Sequence, residues 1–135
     1  MSVSGGVNDF VVRFANVNGT GSASANTMFA KAIFRMGVPV SAKNIFPSNI
    51  QGLPTWYEVR VNGDGYIGRR EGINLMVSVN PQSIEQDLKN TMAGGYFMYD
   101  STWPLPHDKR REDLHYLEIP LMEMSNKHFS EPRLR

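Results

Sequence analysis

The sequence predicts an α/β domain in which a mainly parallel sheet carries helices on both faces. Short apolar runs alternate with segments of helix formers along the chain, which is the pattern of this fold class. The first apolar run leads through a glycine-containing turn into a helix. At 135 residues, without an internal repeat or a linker, the chain suits one domain with one core. We therefore expect a three-layer, Rossmann-like domain over residues 1–135, with residues 1–8 as a flexible N-terminus.

The composition excludes several kinds of site. The chain contains no cysteine, which excludes a disulfide framework, a thiolate zinc site, an iron–sulfur cluster held by this chain and a cysteine nucleophile. The three histidines, His107, His115 and His128, are isolated and lack the spacing of metal ligands. The net charge is +1, so charge gives no reason to expect nucleic acid or an anionic membrane as a partner.

Targeting signals are not visible in the sequence. Residues 1–9 carry neither the basic stretch nor the apolar stretch of a secretory signal. No apolar run elsewhere approaches the length of a membrane span. We therefore expect a cytoplasmic protein without a membrane partner. Eight methionines and seven phenylalanines are many for this length, and they fit either an adaptable core or an interface with another chain.

The first strand and the first helix are the clearest local predictions. Residues 7–15 contain an apolar run broken only by Arg13, as in a strand covered on both faces. Residues 23–36 are predicted to form a helix that ends near Gly37. The apolar stripe of this helix is predicted to consist of Ala25, Phe29, Ile33 and Met36, with Ala32 beside them.

The next segment is predicted to hold two strands and a loop. A strand at residues 40–44 is followed at residues 45–54 by an irregular segment rich in turn formers and side-chain amides. A third strand at residues 55–62 has one face that is more polar and is expected to be wetter. The residues on that face are Trp56, Glu58 and Arg60.

An antiparallel hairpin is predicted after the third strand. The sequence Asn-Gly-Asp-Gly at positions 62–65 is a strong hairpin-turn signal, so residues 66–69 are predicted to be the partner strand. After it we predict a buried strand at 73–79, then a helix at 82–92 that Pro81 begins and Gly94-Gly95 ends, and a strand at 96–99. The C-terminal part is predicted to contain an exposed turn or short helix at 107–113, a strand at 115–119, the start of a helix at 120–124 and a polar tail at 125–135.

The turn at residues 16–22 is the first candidate binding site. Its glycines can adopt positive φ and let a phosphate or another backbone come close. A hydroxyl side chain here can cap the helix, whose N-terminus favours an anion. The turn is neither G-x-G-x-x-G nor a P-loop with its lysine, and a strand–helix turn that binds no ligand is at least as consistent. The candidate residues are Asn18, Gly19, Thr20, Gly21 and Ser22.

The loop after the second strand is the second candidate. Its polar side chains, at a strand end, are plausible ligand contacts, although an ordinary surface loop is the more common outcome for such a composition. The candidate residues are Ser48, Asn49, Gln51 and Gly52. No nucleophile–base set and no pair of carboxylates is apparent, and a structural role is expected for Asp100 and Glu58.

Four segments together resemble a known family. They are residues 10–26 (FVVRFANVNGTGSASAN), 46–60 (FPSNIQGLPTWYEVR), 75–81 (LMVSVNP) and 94–106 (GGYFMYDSTWPLP). In this order they resemble the gamma domain of 2-oxoacid:ferredoxin oxidoreductases. The likeness is greatest to the form fused at the N-terminus of the alpha subunit of 2-oxoglutarate enzymes, and it runs from about Asn8 to the C-terminus.

Two loops of this chain correspond to glycine-rich segments of the family. Many gamma domains have G-x-G-G-x-G at the first turn, where this chain has asparagine in place of two glycines, at Asn16 and Asn18. The family segment S-E-I-R-G-G corresponds to residues 48–53, where amides at Asn49 and Gln51 replace the charged pair. The resemblance implies that these loops lie on the coenzyme A side of the enzyme.

The resemblance implies a reaction carried out by a multi-subunit complex. A 2-oxoacid is decarboxylated on thiamine diphosphate, electrons pass through an iron–sulfur cluster to ferredoxin, and the acyl group is transferred to coenzyme A. Magnesium accompanies the thiamine diphosphate. The implied partners are a thiamine-binding alpha portion and a beta subunit, with ferredoxin as an indirect partner. No catalytic residue and no bound cofactor is assigned to this chain itself.

The resemblance implies that the chain is C-terminally truncated relative to the family pattern. We therefore expect apolar sheet or helix surface to be exposed, which favours association with another chain. Two alternatives remain at this point: a free-standing α/β module that binds a nucleotide-like ligand without catalysis, and a remnant without function. The identity of the 2-oxoacid is left open.

Overall fold

The computed structural model describes residues 8–16, 22–46 and 54–131 of the chain. The elements are β1 (Asp9–Asn16), α1 (Ser22–Arg35), β2 (Val40–Ile45), β3 (Thr55–Asn62), β4 (Ile73–Ser78), α2 (Ile84–Asn90), β5 (Thr91–Asp100), a short 3₁₀ helix (His107–Lys109), β6 (His115–Ile119) and α3 (Leu121–His128). The predicted first strand, first helix, second strand and last strand are therefore confirmed within one or two residues.

A six-stranded sheet is the centre of the domain. Its strand order is β2-β3-β1-β4-β5-β6. The pairs β1–β4, β4–β5 and β5–β6 are parallel, whereas β3 runs antiparallel to both of its neighbours, β1 and β2. The predicted α/β class with a mainly parallel sheet is therefore confirmed.

The helices lie on opposite faces of this sheet. Phe10 and Phe14 of β1 pack with Ile33 of α1, whereas Val11, between them, belongs to the cluster that contains Leu88 of α2. Because alternate residues of a strand point to opposite faces, α1 and α2 must cover different faces. α1 packs on β1, β2 and β3, and α2 packs on β4 and β5. The arrangement has the three predicted layers.

The predicted hairpin strand at residues 66–69 is wrong. The turn itself forms, because the side-chain oxygen Oδ1 of Asn62 accepts the backbone N–H groups of Asp64 (2.9 Å) and Tyr66 (3.0 Å). The chain then continues through turns and bends until β4 begins. β3 already has β1 on one edge and β2 on the other, so neither edge is free for a hairpin partner.

The predicted helix at residues 82–92 is too long. α2 ends at Asn90, and the two glycines that were expected to end the helix lie within β5. A Cβ atom on Gly95 would meet the backbone oxygens of Met92 at 2.8 Å and of Ile73 and Asn74 at 3.1 Å. Glycine at this position therefore permits the close approach of β4 and β5.

The predicted apolar stripe of α1 is rotated from the one in the structure. The residues that α1 buries are Asn26, Ala30 and Ile33. Ala25 is exposed and Met36, just after the helix, is 71% exposed, so only Ile33 of the predicted stripe is buried. Apolar periodicity did not reveal this face because it includes the polar Asn26. Phe29 is partly exposed and contacts Phe14 edge to face, with ring centroids 5.5 Å apart.

The polar face of β3 is buried instead of wet. Glu58 is 2% exposed and Arg60 is 7% exposed. Glu58 pairs across the strands with Arg13, whose Nε and Nη2 atoms lie 3.0 and 2.5 Å from Oε2. Arg60 pairs with Asp9 at 2.6 Å. These charges remain inside because each has an opposite charge beside it.

The predicted C-terminal helix is confirmed, but the segment predicted to be a polar tail is helical at its start. A helix follows Pro120, although α3 continues to His128 and so includes part of the segment predicted to be a polar tail. Asp100 has the expected structural position, because its carboxylate accepts the backbone N–H groups of Thr102 (2.9 Å) and Met122 (3.0 Å). Asp100 thus links the end of β5 to the start of α3.

Candidate functional site

The carboxyl edge of the parallel strands is the candidate site. From β1 the chain crosses through α1 toward β2, at one side of the sheet, and from β4 it crosses through α2 to β5, at the other side. The two crossovers leave in opposite directions from neighbouring strands, so the switch point of the sheet lies between β1 and β4. In open α/β sheets ligands bind in the crevice at the carboxyl ends of such strands.

Three buried asparagines connect the elements at this edge. Nδ2 of Asn26, in α1, donates to Oδ1 of Asn16, at the end of β1, at 2.6 Å. Nδ2 of Asn80, just after β4, donates to the backbone oxygen of Asn16 at 3.0 Å. The first bond closes the strand–helix turn, and the second fixes β1 against the end of β4. Asn16, where the turn begins, and Asn26, within the helix that follows it, are therefore both held inside the protein.

A buried aspartate lies directly behind this edge. Asp87 of α2 is 0% exposed. Its carboxylate accepts hydrogen bonds from Nε1 of Trp56 (2.6 Å) and from the hydroxyls of Ser78 (2.6 Å) and Ser83 (2.8 Å). Burial raises the pKa of Asp87 above its usual value, and the hydrogen bonds oppose that rise. The donors come from β3, the end of β4 and the start of α2, so Asp87 joins three elements behind the edge.

The two predicted binding loops start and finish at the same edge. Asn16, where the first turn begins, pairs with Thr55, which follows the second loop. Ile45, where β2 ends before the second loop, pairs with Trp56. Since β1, β3 and β2 are consecutive in the sheet, the bases of both loops are neighbours. The sequence predicted each loop separately, and the structure brings their bases together.

The structure places one of the nine predicted site residues. Ser22 is half-buried and is the first residue of α1. The other eight lie outside the described residues; they are Asn18, Gly19, Thr20, Gly21, Ser48, Asn49, Gln51 and Gly52. Their assignment to a ligand site therefore stays a prediction, supported only by the position of the loop bases.

A small cavity of about 150 Å³ lies beside the edge, next to the ends of β4 and β5. Its lining includes Tyr99, Trp103 and Leu105, with Asp100 and Lys109 at its polar positions. The charged groups already have partners, because Asp100 binds backbone N–H groups and Lys109 pairs with Glu85. The cavity is smaller than the pockets that enclose drug-sized ligands, so it does not by itself define a cofactor site.

The sequence analysis did not predict a role for several residues at this edge. Asp87, Trp56 and Asn26 were assigned no role there, and Asn16 was considered only as part of the turn. A recognisable signal was a polar residue at a position where a helix should be apolar, as at Asn26. Asp87 gave no comparable signal, since an acidic residue near the start of a helix is common on surfaces.

Two features that would define other classes of site are missing from the described residues. Residues 8–16, 22–46 and 54–131 contain no group of three or more histidine, aspartate or glutamate side chains arranged to hold a metal ion. Within the same residues, no helix has the length and apolar character that crossing a membrane requires.

The comparisons with known proteins all point to the same family. The sequence profile of the family described as pyruvate ferredoxin/flavodoxin oxidoreductase matches residues 11–134. No curated protein sequence matches the chain significantly. The profile match covers most of the chain, including both predicted loops and the edge between them.

Three solved structures have a similar fold. The chain superposes on the 2-oxoglutarate:ferredoxin oxidoreductase of Magnetococcus marinus, solved with 2-oxoglutarate, coenzyme A and succinyl-CoA bound, with a TM-score of 0.78, 24% identity and 89% of the chain covered. The superposition on the keto/oxoacid ferredoxin oxidoreductase gamma subunit of Geobacter sulfurreducens has a TM-score of 0.70 and 14% identity, and it covers 87% of the chain. The superposition on a pyruvate oxidoreductase subunit of Thermotoga maritima has a TM-score of 0.69 and 14% identity, and it covers 94% of the chain.

The chain is shorter than each of these proteins. It covers 21% of the Magnetococcus chain, 64% of the Geobacter subunit and 70% of the Thermotoga subunit. At these identities the superpositions show the fold, which matches that of a gamma subunit.

Proposed function

The chain belongs to the pyruvate ferredoxin/flavodoxin oxidoreductase family, and from this we propose that it acts as a gamma-type domain of a 2-oxoacid:ferredoxin oxidoreductase. We propose 2-oxoglutarate as the 2-oxoacid, because the four resembling segments are most similar to the 2-oxoglutarate enzymes. In the complex, the 2-oxoacid is oxidatively decarboxylated with coenzyme A to acyl-CoA and CO₂, and two electrons reduce ferredoxin. The chain contributes a binding surface to this reaction and no reacting group.

The neighbouring positions of the two loop bases are the observation that carries the proposal. Both loops leave the sheet at the carboxyl edge, where the N-terminus of α1 also begins with Ser22. Backbone N–H groups at a helix N-terminus attract anions, and coenzyme A carries a pyrophosphate and a further phosphate. The hydrogen bonds between Asn16, Asn26 and Asn80 hold the base of the first loop in place. We assign the coenzyme A side of the complex to this edge.

The remaining chemistry belongs to other parts of the complex. The chain has no cysteine, so the ligands of an iron–sulfur cluster must come from elsewhere. Thiamine diphosphate and its magnesium belong to the alpha portion and beta subunit, which are the direct partners of this chain. Ferredoxin interacts indirectly, and the complex is cytoplasmic.

The test is to isolate the tagged chain from its native cells without oxygen, together with its partners, and to follow amide hydrogen exchange with and without coenzyme A. We expect slower exchange in residues 17–21 and 47–53 when coenzyme A is present. Residues 63–71, a loop away from the carboxyl edge, are the internal control and should not change. Co-purified thiamine diphosphate, iron and 2-oxoacid-dependent reduction of a dye would identify the complex.

Two results would contradict the proposal in different ways. Isolation of the chain without thiamine diphosphate or iron, but with coenzyme A bound, would favour the free-standing binding module. A complete active complex in which coenzyme A protects neither loop would keep the family role but remove the assignment of this edge. Substitution of Gln51 by alanine provides a second measurement, because it should raise the KM for coenzyme A, whereas Asp64→Ala in the control loop should not.

A further inference from the structure

β2 is an edge strand of the sheet. The strand order places β3 on one side of it, and among residues 8–16, 22–46 and 54–131 no strand pairs with its other side. None of the six residues of β2 is buried, whereas all but the first residue of β3 are buried. The backbone N–H and C=O groups on the outer side of an edge strand are able to pair with another chain. The outer side of β2 is therefore available to an extended segment.

The two sides of β2 differ in chemistry. Val40 packs in the cluster that contains Ile33 of α1. Since alternate residues of a strand point to opposite faces of the sheet, Lys43 must point away from α1. Lys43 lies beside Glu58 of β3, but the carboxylate of Glu58 is buried and paired with Arg13. β2 thus has an apolar residue on the α1 side and a cation on the opposite side.

An apolar groove lies on the α1 side, at the start of β2. Its volume is about 420 Å³. Phe34, in the last turn of α1, is 70% exposed, and Ile67, in the loop after β3, is 39% exposed, so the walls of the groove contact water. The residues that line it are Phe34, Gly37, Val38, Pro39, Val40 and Ile67. The groove has no charged residue in its lining and suits an apolar side chain.

The surface around β2 is positively charged. Residues 14–57 contain no aspartate and no glutamate, and their charged residues are Lys31, Arg35 and Lys43. All three are exposed. In the part of the chain that the structure describes, none of the three forms a salt bridge. These cations are therefore available to the acidic groups of another molecule.

We propose that the outer side of β2 binds an extended, acidic segment of a partner protein. In an added strand, successive side chains point to opposite faces of the sheet, as they do in β2. The segment presents apolar side chains on the face of the groove and acidic side chains on the face of Lys43, because oppositely charged cross-strand neighbours stabilise a pair of strands. Alternating acidic and apolar residues are therefore the chemical signature of the partner.

A second copy of this chain does not fit the same surface. Two β2 strands that pair about a two-fold axis would bring together two surfaces that are both positively charged. β6, the strand at the other end of the sheet, carries one carboxylate, Glu118. That carboxylate already accepts hydrogen bonds from Arg110 and from the hydroxyl of Tyr99, each at 2.6 Å. The distribution of charge therefore favours a different protein as the partner.

The test uses the full chain and a fluorescent peptide of about eight residues, a usual strand length, in which valine and glutamate alternate. We expect the peptide to bind, as measured by fluorescence anisotropy, and to slow amide hydrogen exchange in residues 40–45. Residues 115–119, in the other edge strand, are the internal control and should not change. Two further peptides should not bind. One has lysine in place of glutamate, and the other has proline at alternate valines, which removes backbone donors.

Two matched pairs of variants locate the binding on the chain. Lys43→Glu should weaken binding of the valine–glutamate peptide about fivefold, because it places like charges side by side, whereas Lys89→Glu on α2 should not. Phe34→Ser should also weaken binding, because Phe34 lines the groove, whereas Met28→Ser should not. Phe34 and Met28 are both 70% exposed on α1, and both lysines are exposed, so these changes should preserve the fold. Thermal unfolding checks that each variant is folded.

Several results would overturn the proposed interface. They are failure of the valine–glutamate peptide to bind, equal binding of the lysine peptide, slower exchange at both edge strands, and equal effects of Lys43→Glu and Lys89→Glu. Concentration-dependent self-association that slows exchange in residues 40–45 would instead assign this surface to a second copy of the chain. None of these measurements involves coenzyme A, so a negative result leaves the proposed function unchanged.

Discussion

The two faces of β4, β5 and β6 share one backbone but differ in how they are covered. On the face toward α2, Phe97 is 0% exposed and belongs to a cluster with Leu88 and Met76. On the opposite face of these strands, which we call the open face, Tyr96 and Leu117 are partly exposed, although they are also large and apolar. Residue type therefore does not distinguish the faces; the presence of a covering helix does. The covered face supplies stability to the chain, and the open face is available for association.

Substitutions at matched positions of the two faces should have the most unequal effects. Phe97→Ala should lower the free energy of unfolding by about 3–5 kcal/mol, because it leaves a cavity in the core. Leu117→Ala should lower it by less than about 1 kcal/mol in the isolated chain, because this side chain is already partly in water. Denaturant unfolding of both variants measures the difference. Similar losses would mean that the open face is covered in the isolated chain.

Charge burial between β1 and β3, outside the strands compared above, can be tested with Arg13 and Glu58. Arg13→Met should cost about 3–5 kcal/mol, because it leaves the carboxylate of Glu58 buried without its cation. The double variant Arg13→Met, Glu58→Leu should recover most of this loss, since no unpaired charge remains. A double variant as unstable as the single one, measured by thermal unfolding, would show that the ion pair itself provides the stability.

The close contact between β4 and β5 predicts an intermediate effect. Gly95→Ala should cost about 1–3 kcal/mol, because the new methyl group meets three backbone oxygens that cannot move away easily. Gly68→Ala is the matched control, since a Cβ at Gly68 has no atom within 4 Å, and it should change stability by less than about 0.5 kcal/mol. Equal effects in denaturant unfolding would contradict the tight pairing of the strands.

The smallest expected effect is a change in alkaline stability through Tyr99, on the covered face. Burial and the hydrogen bond to Glu118 raise the pKa of Tyr99 from 10.0 to about 12. A raised pKa means that this contribution to stability is complete below pH 10 and is lost as the pH rises toward 12. The parent protein should therefore lose more stability across this range than Tyr99→Phe. Parallel stability curves for the two proteins would contradict the shift, and Glu118→Gln should lower the pKa of Tyr99 toward its ordinary value.

The sequence predicted the elements whose signals are local. β1, α1, β2 and β6 follow from apolar runs and from turn residues, and these elements were placed within one or two residues. The false strand at 66–69 arose because a hairpin-turn signal does not show that both edges of β3 are already paired by β1 and β2. The pairing of β3 with β1 joins residues that are 39 to 53 positions apart, from Asn16 with Thr55 to Asp9 with Asn62, and a local pattern does not contain it.

The candidate site was predictable only in part. The two loops were identified from glycines, amides and family resemblance, but their common edge depends on the pairing of Asn16 with Thr55 across the sheet. The buried hydrogen bonds of Asp87 and Asn26 were missed, because a polar side chain is recognised as buried through its partners, and the sequence pattern did not pair these side chains with theirs. The wetter face assigned to β3 was wrong for the same reason, since Glu58 is paired with Arg13.

The hydrogen bonds of Asn16 also imply an order of folding. Asn16 and Asn26 are ten residues apart, so their bond closes a short loop and requires little more than β1 and the start of α1. Asn16 and Asn80 are 64 residues apart, and their bond requires β4 to have docked beside β1. We expect the strand–helix turn to form early and the switch point to be completed late. During refolding, the amide hydrogens of α1 would then be protected from exchange before those at the carboxyl ends of β1 and β4.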